Sequence, residues 1–270
     1  MKLRAKLNLP REHGAWAMFY VPFLLGLLVA GTFNVAAALL LIAASALFIS
    51  RESLLLYWRA RLRGRRADQA RRLLVVYFTL AAVCGIVLLW RYRLFLLPVL
   101  AVPGFLLLLI NGRQATQREE RTIRGELMAI CGLTLSAPAA YYVARGQWDD
   151  LGWWLWAFCA LFFASSVFYV KLRVTSLHAK NPSDRQRARV SCLAYHALLL
   201  AALVLLVAGT AWPVWSLIAF LPAILRALYP LFRPVPELNL KQVGLLEIVY
   251  ALLFLIFAMI SFAGAPAASA

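Results

Sequence analysis

Long apolar runs separated by polar stretches dominate this chain. Nine of them stand out, at residues 14–32, 35–50, 73–90, 94–110, 127–144, 151–170, 191–209, 212–229 and 244–262. Each is close to the roughly 20 residues a helix needs to cross a bilayer. The pattern predicts an all-α polytopic membrane protein of about nine transmembrane helices, with residues 1–270 forming a single membrane domain. Composition agrees, because 64% apolar and 14% charged residues with a mean hydropathy of +0.79 do not describe a globular surface.

A net charge of +17 would point to nucleic acid in a soluble protein, so the placement of the 28 Lys and Arg residues decides its meaning. Counted on alternate sides of the nine runs, 25 fall on one side; only Arg91, Arg93 and Arg145 fall on the other. The asymmetry predicts a cytoplasmic N-terminus, an external C-terminus and a multi-pass protein of the inner (plasma) membrane. It accounts for the charge without nucleic acid, leaving membrane lipids as the expected surroundings. Lys2, Arg4 and Lys6 precede an apolar run in the manner of a secretory signal. That run is long, contains Pro22 and is followed at once by a second one, so retention is expected.

Links on the external side are short, whereas the cytoplasmic connections after runs two and six are long and basic. Both open on aromatic-then-basic stretches, Tyr57-Trp58-Arg59 and Phe168-Tyr169-Val170-Lys171, and close on polar runs starting at Asp68 and Asp184. The likeness hints at a duplicated helix-loop-helix unit. Cys84, Cys131, Cys159 and Cys192 lack C-x-x-C spacing and read as packing residues without a ligand histidine nearby. With three histidines in the chain, no metal or haem site is expected, and His196 is read as hydrogen-bonded between helices.

Polar groups at membrane depth are costly and are therefore the candidate site. Arg51 and Glu52 interrupt the second run before Leu54-Leu55-Leu56-Tyr57 resumes it, and adjacent helical positions point about 100° apart. The two are thus expected to meet partners on other helices. Asn111 closes run four, Glu126 opens run five, where the helix dipole alone would favour a carboxylate, and Glu247 lies about a turn into run nine. Together they predict a polar chamber open to the cytoplasm and roofed by basic loops.

The sharpest motif is Pro10-Arg11-Glu12-His13-Gly14-Ala15-Trp16. A helix start explains Pro10 and an interfacial indole explains Trp16, but neither requires Glu12-His13-Gly14, which makes Glu12 and His13 candidate binding residues. The block, continuing through Ala17-Met18-Phe19-Tyr20-Val21-Pro22-Phe23, resembles the opening of the YwiC-like family of bacterial membrane proteins. A more distant resemblance is to the UbiA superfamily of intramembrane prenyltransferases. It rests on the two long cytoplasmic loops and on Arg124-Gly125-Glu126-Leu127 through Ala140-Tyr141-Tyr142-Val143-Ala144-Arg145-Gly146, similar to a fifth helix of that superfamily. This resemblance implies a nine-helix UbiA-like bundle with a cytoplasmic cap.

It also implies paired carboxylates holding Mg²⁺ against a prenyl diphosphate. This chain departs from that pattern. The first site offers Ser50, Arg51 and Glu52, the second Tyr169, Lys171 and Arg173, with Asp68 and Asp184 isolated among arginines. No metal cofactor is therefore expected, and basic side chains would hold a phosphate directly. The expectation is a protein that binds, or as a prenyltransferase-like enzyme modifies, a lipophilic or phosphorylated isoprenoid. A permease and a non-catalytic component of a membrane complex are the alternatives.

Overall fold

The computed structural model describes residues 13–116, 122–179, 181–209, 212–232 and 240–262. They form ten α-helices and, among the described residues, no strand: α1 (His13–Ala30), α2 (Val35–Leu62), α3 (Asp68–Trp90), α4 (Leu97–Thr116), α5 (Ile123–Thr134), α6 (Ser136–Arg145), α7 (Leu151–His178), α8 (Pro182–Ala208), α9 (Ser216–Phe232) and α10 (Leu240–Phe262). Six helical segments are long and apolar enough to cross a membrane: Val35–Leu62, Asp68–Trp90, Ile123–Arg145, Leu151–His178, Pro182–Ala208 and Gln242–Phe262. Three apolar helices, Gly14–Ala30, Leu97–Ile110 and Ser216–Tyr229, are shorter. Leu198, Leu205, Val75 and Leu245 are exposed on the helix flanks, as side chains facing lipid would be.

One expected run is two helices. Pro138 has no N–H to give and its ring crowds the carbonyl four residues back, on Thr134, where α5 ends. The Thr134 hydroxyl also turns back onto the Ile130 carbonyl at 2.7 Å. Ser136, just past the break, donates to the Phe19 carbonyl at 2.8 Å and so fastens the discontinuity to α1.

The two long basic loops are a second difference. Helix α2 continues through the charged pair at Arg51 and Glu52 to Leu62, and α3 begins at Asp68, leaving only residues 63–67 as a turn with Gly64 at φ +63°. Helices α7 and α8 likewise run to His178 and from Pro182. Pro182 in the first turn and Asp184 near the N-terminus start α8 in the usual way. The connections are helical hairpins because Leu54, Leu55 and Leu172 keep finding buried contacts beyond the apolar runs.

Helix α1 is the axis, packing on α6, α10, α5 and α7. Its approach to α6 depends on Gly26, where a Cβ would lie 2.2 Å from the Ala137 carbonyl oxygen and 3.0 Å from the Tyr141 nitrogen. At one end of the bundle Thr32 and Asn34 both donate to the Ala144 carbonyl at 3.0 Å, while the Asn34 side chain caps α2 by accepting from Ala37 N–H at 2.9 Å. The cap joins the start of α2 to the end of α6. An aromatic core of Phe158, Phe162, Phe220 and Phe254 binds α7, α9 and α10 together, with Phe162 and Phe254 stacked at 3.9 Å between centroids.

Candidate functional site

The polar groups gather at the opposite end of the bundle, where α2, α7 and α9 finish and α5 and α10 begin. They resolve into three clusters. In the first, Arg51 Nη1 donates to Glu52 Oε1 at 2.9 Å, with both side chains partly buried. The expectation that the two residues would not meet each other is corrected by this pair. Backbone phase separates their Cβ atoms, but long side chains on adjacent positions can bend back to each other where the surroundings are too apolar for either charge alone.

In the second cluster Lys171 Nζ, on α7, donates to Glu126 Oε1, on α5, at 2.9 Å. Glu126 does lie in the first turn of its helix, behind the Thr122 cap, whose hydroxyl accepts from Gly125 N–H at 3.1 Å. Its carboxylate nevertheless has a specific partner 45 residues away, which a dipole effect does not supply.

The third cluster is the most buried and centres on a residue that sequence reasoning counted among the loop cations, Arg226. It sits inside α9 with 5% of its surface exposed. Its guanidinium pairs with Glu247 of α10 through Nη1 and donates from Nη2 to Ser166 Oγ of α7 at 3.0 Å. The ring of Tyr169 lies 4.7 Å from the guanidinium carbon and that of Tyr250 4.6 Å. Guanidinium is the cation best suited to such a place, being planar and weakly hydrated. Among the described residues, Arg226 Nε and Glu247 Oε2 are buried without a hydrogen-bond partner.

Helical phase explains how α7 serves two clusters. Positions 169 and 173 are four apart and share a face, whereas 171 lies about 200° around from 169. Tyr169 therefore faces Arg226, buried Arg173 is on that same side, and Lys171 turns toward α5. The three residues grouped by sequence as one site belong to two.

Next to the third cluster, His196 of α8 is 2% exposed, and its Nδ1 lies 2.7 Å from the Cys192 carbonyl and 3.7 Å from Cys192 Sγ. Two readings are corrected here. His196 bonds within its own helix, not between helices, because a residue four positions back offers a carbonyl at the right height. Cys192 does have a neighbouring histidine, and the i, i+4 spacing that brings them together was legible. Among the described residues no group of three or more His, Cys, Asp or Glu side chains could hold a metal ion.

Of the remaining candidates, Glu12 lies outside the described residues. His13 opens α1 and Asn111 lies in α4, but both side chains lie outside the described set. Gly14 has no atom within 4 Å of where a Cβ would stand, so packing does not demand glycine there. Trp16 stacks on Tyr20 at 5.7 Å and meets Phe48 edge-on at 5.1 Å, tying α1 to α2.

Six helical segments long and apolar enough to cross a membrane are those of a multi-pass membrane protein. The family model described as YwiC-like protein matches residues 9–141, the stretch that opens on the Pro10–Trp16 block. Over 253 residues the chain is 29% identical to "Uncharacterized protein YwiC" of Bacillus subtilis (strain 168), covering 93% of this chain and 96% of that protein. A protein of Haemophilus influenzae (strain ATCC 51907 / DSM 11121 / KW20 / Rd), printed as "Uncharacterized protein", is 26% identical over 259 residues, covering 95% and 99%. The chain is similar to YwiC-like proteins over the stretch the family model matches and to these relatives almost from end to end. No solved structure matches the chain.

Proposed function

We propose that this protein binds a lipophilic ligand with an anionic head, such as a phosphorylated isoprenoid, at the polar end of its bundle, as a divergent UbiA-like protein of the plasma membrane. In this reading the helices make nine spans, with α5 and α6 together forming the fifth. The N-terminus and the α2–α3 and α7–α8 hairpins face the cytoplasm, in keeping with the 25 basic residues on that side. The hairpins follow spans two and six, where the resemblance expects a cap.

The observation that carries the reading is the charge balance of the three clusters. Among the described residues, four cations at one end of the bundle, Arg51, Lys171, Arg173 and Arg226, stand with three carboxylates, Glu52, Glu126 and Glu247. Buried positive charge in excess favours an anionic ligand, and arginine provides the planar donors that phosphate and carboxylate oxygens accept. The reading needs no metal, since these carboxylates each already face a cation. Catalysis would be a further property; binding is what the charge balance supports.

The test is a thermal-shift titration of detergent-purified protein with a long-chain prenyl diphosphate, with and without Mg²⁺, and with the corresponding prenyl alcohol as control. Stabilisation by the diphosphate independent of Mg²⁺, lost in Arg51→Ala, is the expected result. Equal stabilisation by the alcohol, or none by either ligand, would refute the reading.

A further inference from the structure

Arg226 and Glu247 are held unequally. The arginine is fixed by Ser166 and by two tyrosine rings, on three sides that do not involve Glu247. The carboxylate, among the described residues, has Arg226 as its single hydrogen-bond partner, and its second oxygen is buried with none. Arginine and carboxylate commonly meet through two parallel bonds, whereas here one nitrogen meets one oxygen and Nε is left over. Removing the carboxylate would leave the guanidinium in place; removing the guanidinium would leave the carboxylate with nothing. Glu247 is also the more accessible partner, at 13% side-chain exposure against 3%.

We infer that Glu247 is an internal stand-in for the ligand's anion: an oxyanion entering the polar end displaces it from Arg226 and takes the guanidinium with more than one bond. The inference rests on the reading above and adds to it the anchoring residue and a built-in competitor. The chemistry recognised is a forked oxyanion, phosphate or carboxylate, and Arg226 lies six residues, or about 9 Å, inside the end of α9. A ligand reaching it must bring its own apolar portion among α7, α9 and α10, or be small enough to enter alone. The rings of Tyr169 and Tyr250, 4.7 and 4.6 Å from the guanidinium carbon, help shield the cation from water.

The test uses full-length protein in detergent, with inorganic pyrophosphate and farnesyl diphosphate as probes and farnesol as control, read by thermal shift and confirmed by calorimetry. Glu247→Gln keeps the shape of the side chain and removes the competing charge. It should bind the effective probe about tenfold or more tightly than the unaltered protein, because one charge-assisted bond no longer has to be broken first. The double variant Arg226→Gln/Glu247→Gln leaves no unpaired charge and so keeps a neutral, foldable centre; it should lose the gain. Pyrophosphate active alone means a free anion site, whereas response to farnesyl diphosphate only means a lipid-borne head; either is the expected chemistry. Binding by the unaltered protein that Glu247→Gln leaves the same or weakens overturns the inference and leaves the reading above standing. Equal binding by the single and double variants also overturns it, since Arg226 would not be the anchor. No response to either probe in any variant overturns both.

Discussion

Breaking the Arg226–Glu247 pair from each side in turn should give unequal losses of stability. Arg226→Met leaves Glu247 in an apolar helix with no hydrogen-bond partner among the described residues. Removing one member of a buried pair costs about 3 to 5 kcal/mol. Glu247→Met leaves a guanidinium that still donates to Ser166 and still lies against two tyrosine rings. Its loss is one charge-assisted bond, about 1.5 to 3 kcal/mol, partly offset because the ring contacts remain. The double substitution removes both desolvated charges and fills the space with thioether chains, so it should cost less than Arg226→Met alone, within about 2 kcal/mol of the unaltered protein. The assay is reversible denaturation of the detergent-solubilised protein followed by circular dichroism, arranged as a double-mutant cycle. If the double variant loses the sum of the two single losses to within about 0.5 kcal/mol, the groups act independently and the reasoning fails. It fails equally if Glu247→Met proves the more damaging of the two.

Gly26→Ala should destabilise the α1–α6 contact by about 1 to 3 kcal/mol, because a methyl 2.2 Å from a backbone oxygen forces the helices apart. Helix propensity alone favours alanine there by about 1 kcal/mol, so a rise in melting temperature would show that the close approach is not real. The Lys171–Glu126 bridge is 26% and 32% exposed. Its coupling energy, from the cycle of Lys171→Met and Glu126→Gln, should be only about 0.2 to 1 kcal/mol and should shrink in high salt. A salt-independent coupling of several kcal/mol would mean the pair is far drier than its exposure indicates. Asn34→Ala removes a cap and a link to Ala144, and should cost about 1 kcal/mol by the same denaturation assay.

Apolar run length alone located the helical segments, though not the division of one run into α5 and α6, since a run of some twenty apolar residues has few other uses. The helix ends were less legible. The apolar run resumes only through Leu54-Leu55-Leu56-Tyr57 and the arginines after it read as loop, yet α2 continues to Leu62, with Leu54 and Leu55 buried. The division at Thr134 had a signal in Pro138, four residues on. Glu126 and Glu247 were found because charge at membrane depth is rare, and Lys171 because it stands where the UbiA resemblance places a second site. Their partners were not, because pairing depends on which helices adjoin, and α5 meets α7 and α9 meets α10 only in the folded bundle. Arg226 was missed for a related reason. An arginine seven residues before a cytoplasmic loop reads as a side chain reaching outward to water, and only the tyrosines of two other helices show that it turns inward.

Helices α2 and α7 have 28 residues each, about 42 Å of rod against roughly 30 Å of hydrocarbon. Each is therefore longer than the hydrocarbon is thick, a continuous lever with no loop to absorb motion along it. Ser166 and Tyr169, which grip the guanidinium, and Leu177, exposed near the far end, belong to the same rigid rod. A tilt of about 10° pivoting at Tyr169 would swing Leu177, about 12 Å along the axis, through roughly 2 Å. Spin labels at Leu177 and at Leu62, the corresponding exposed position on α2, would thus convert events at the buried arginine into a distance measured between two hairpins in water.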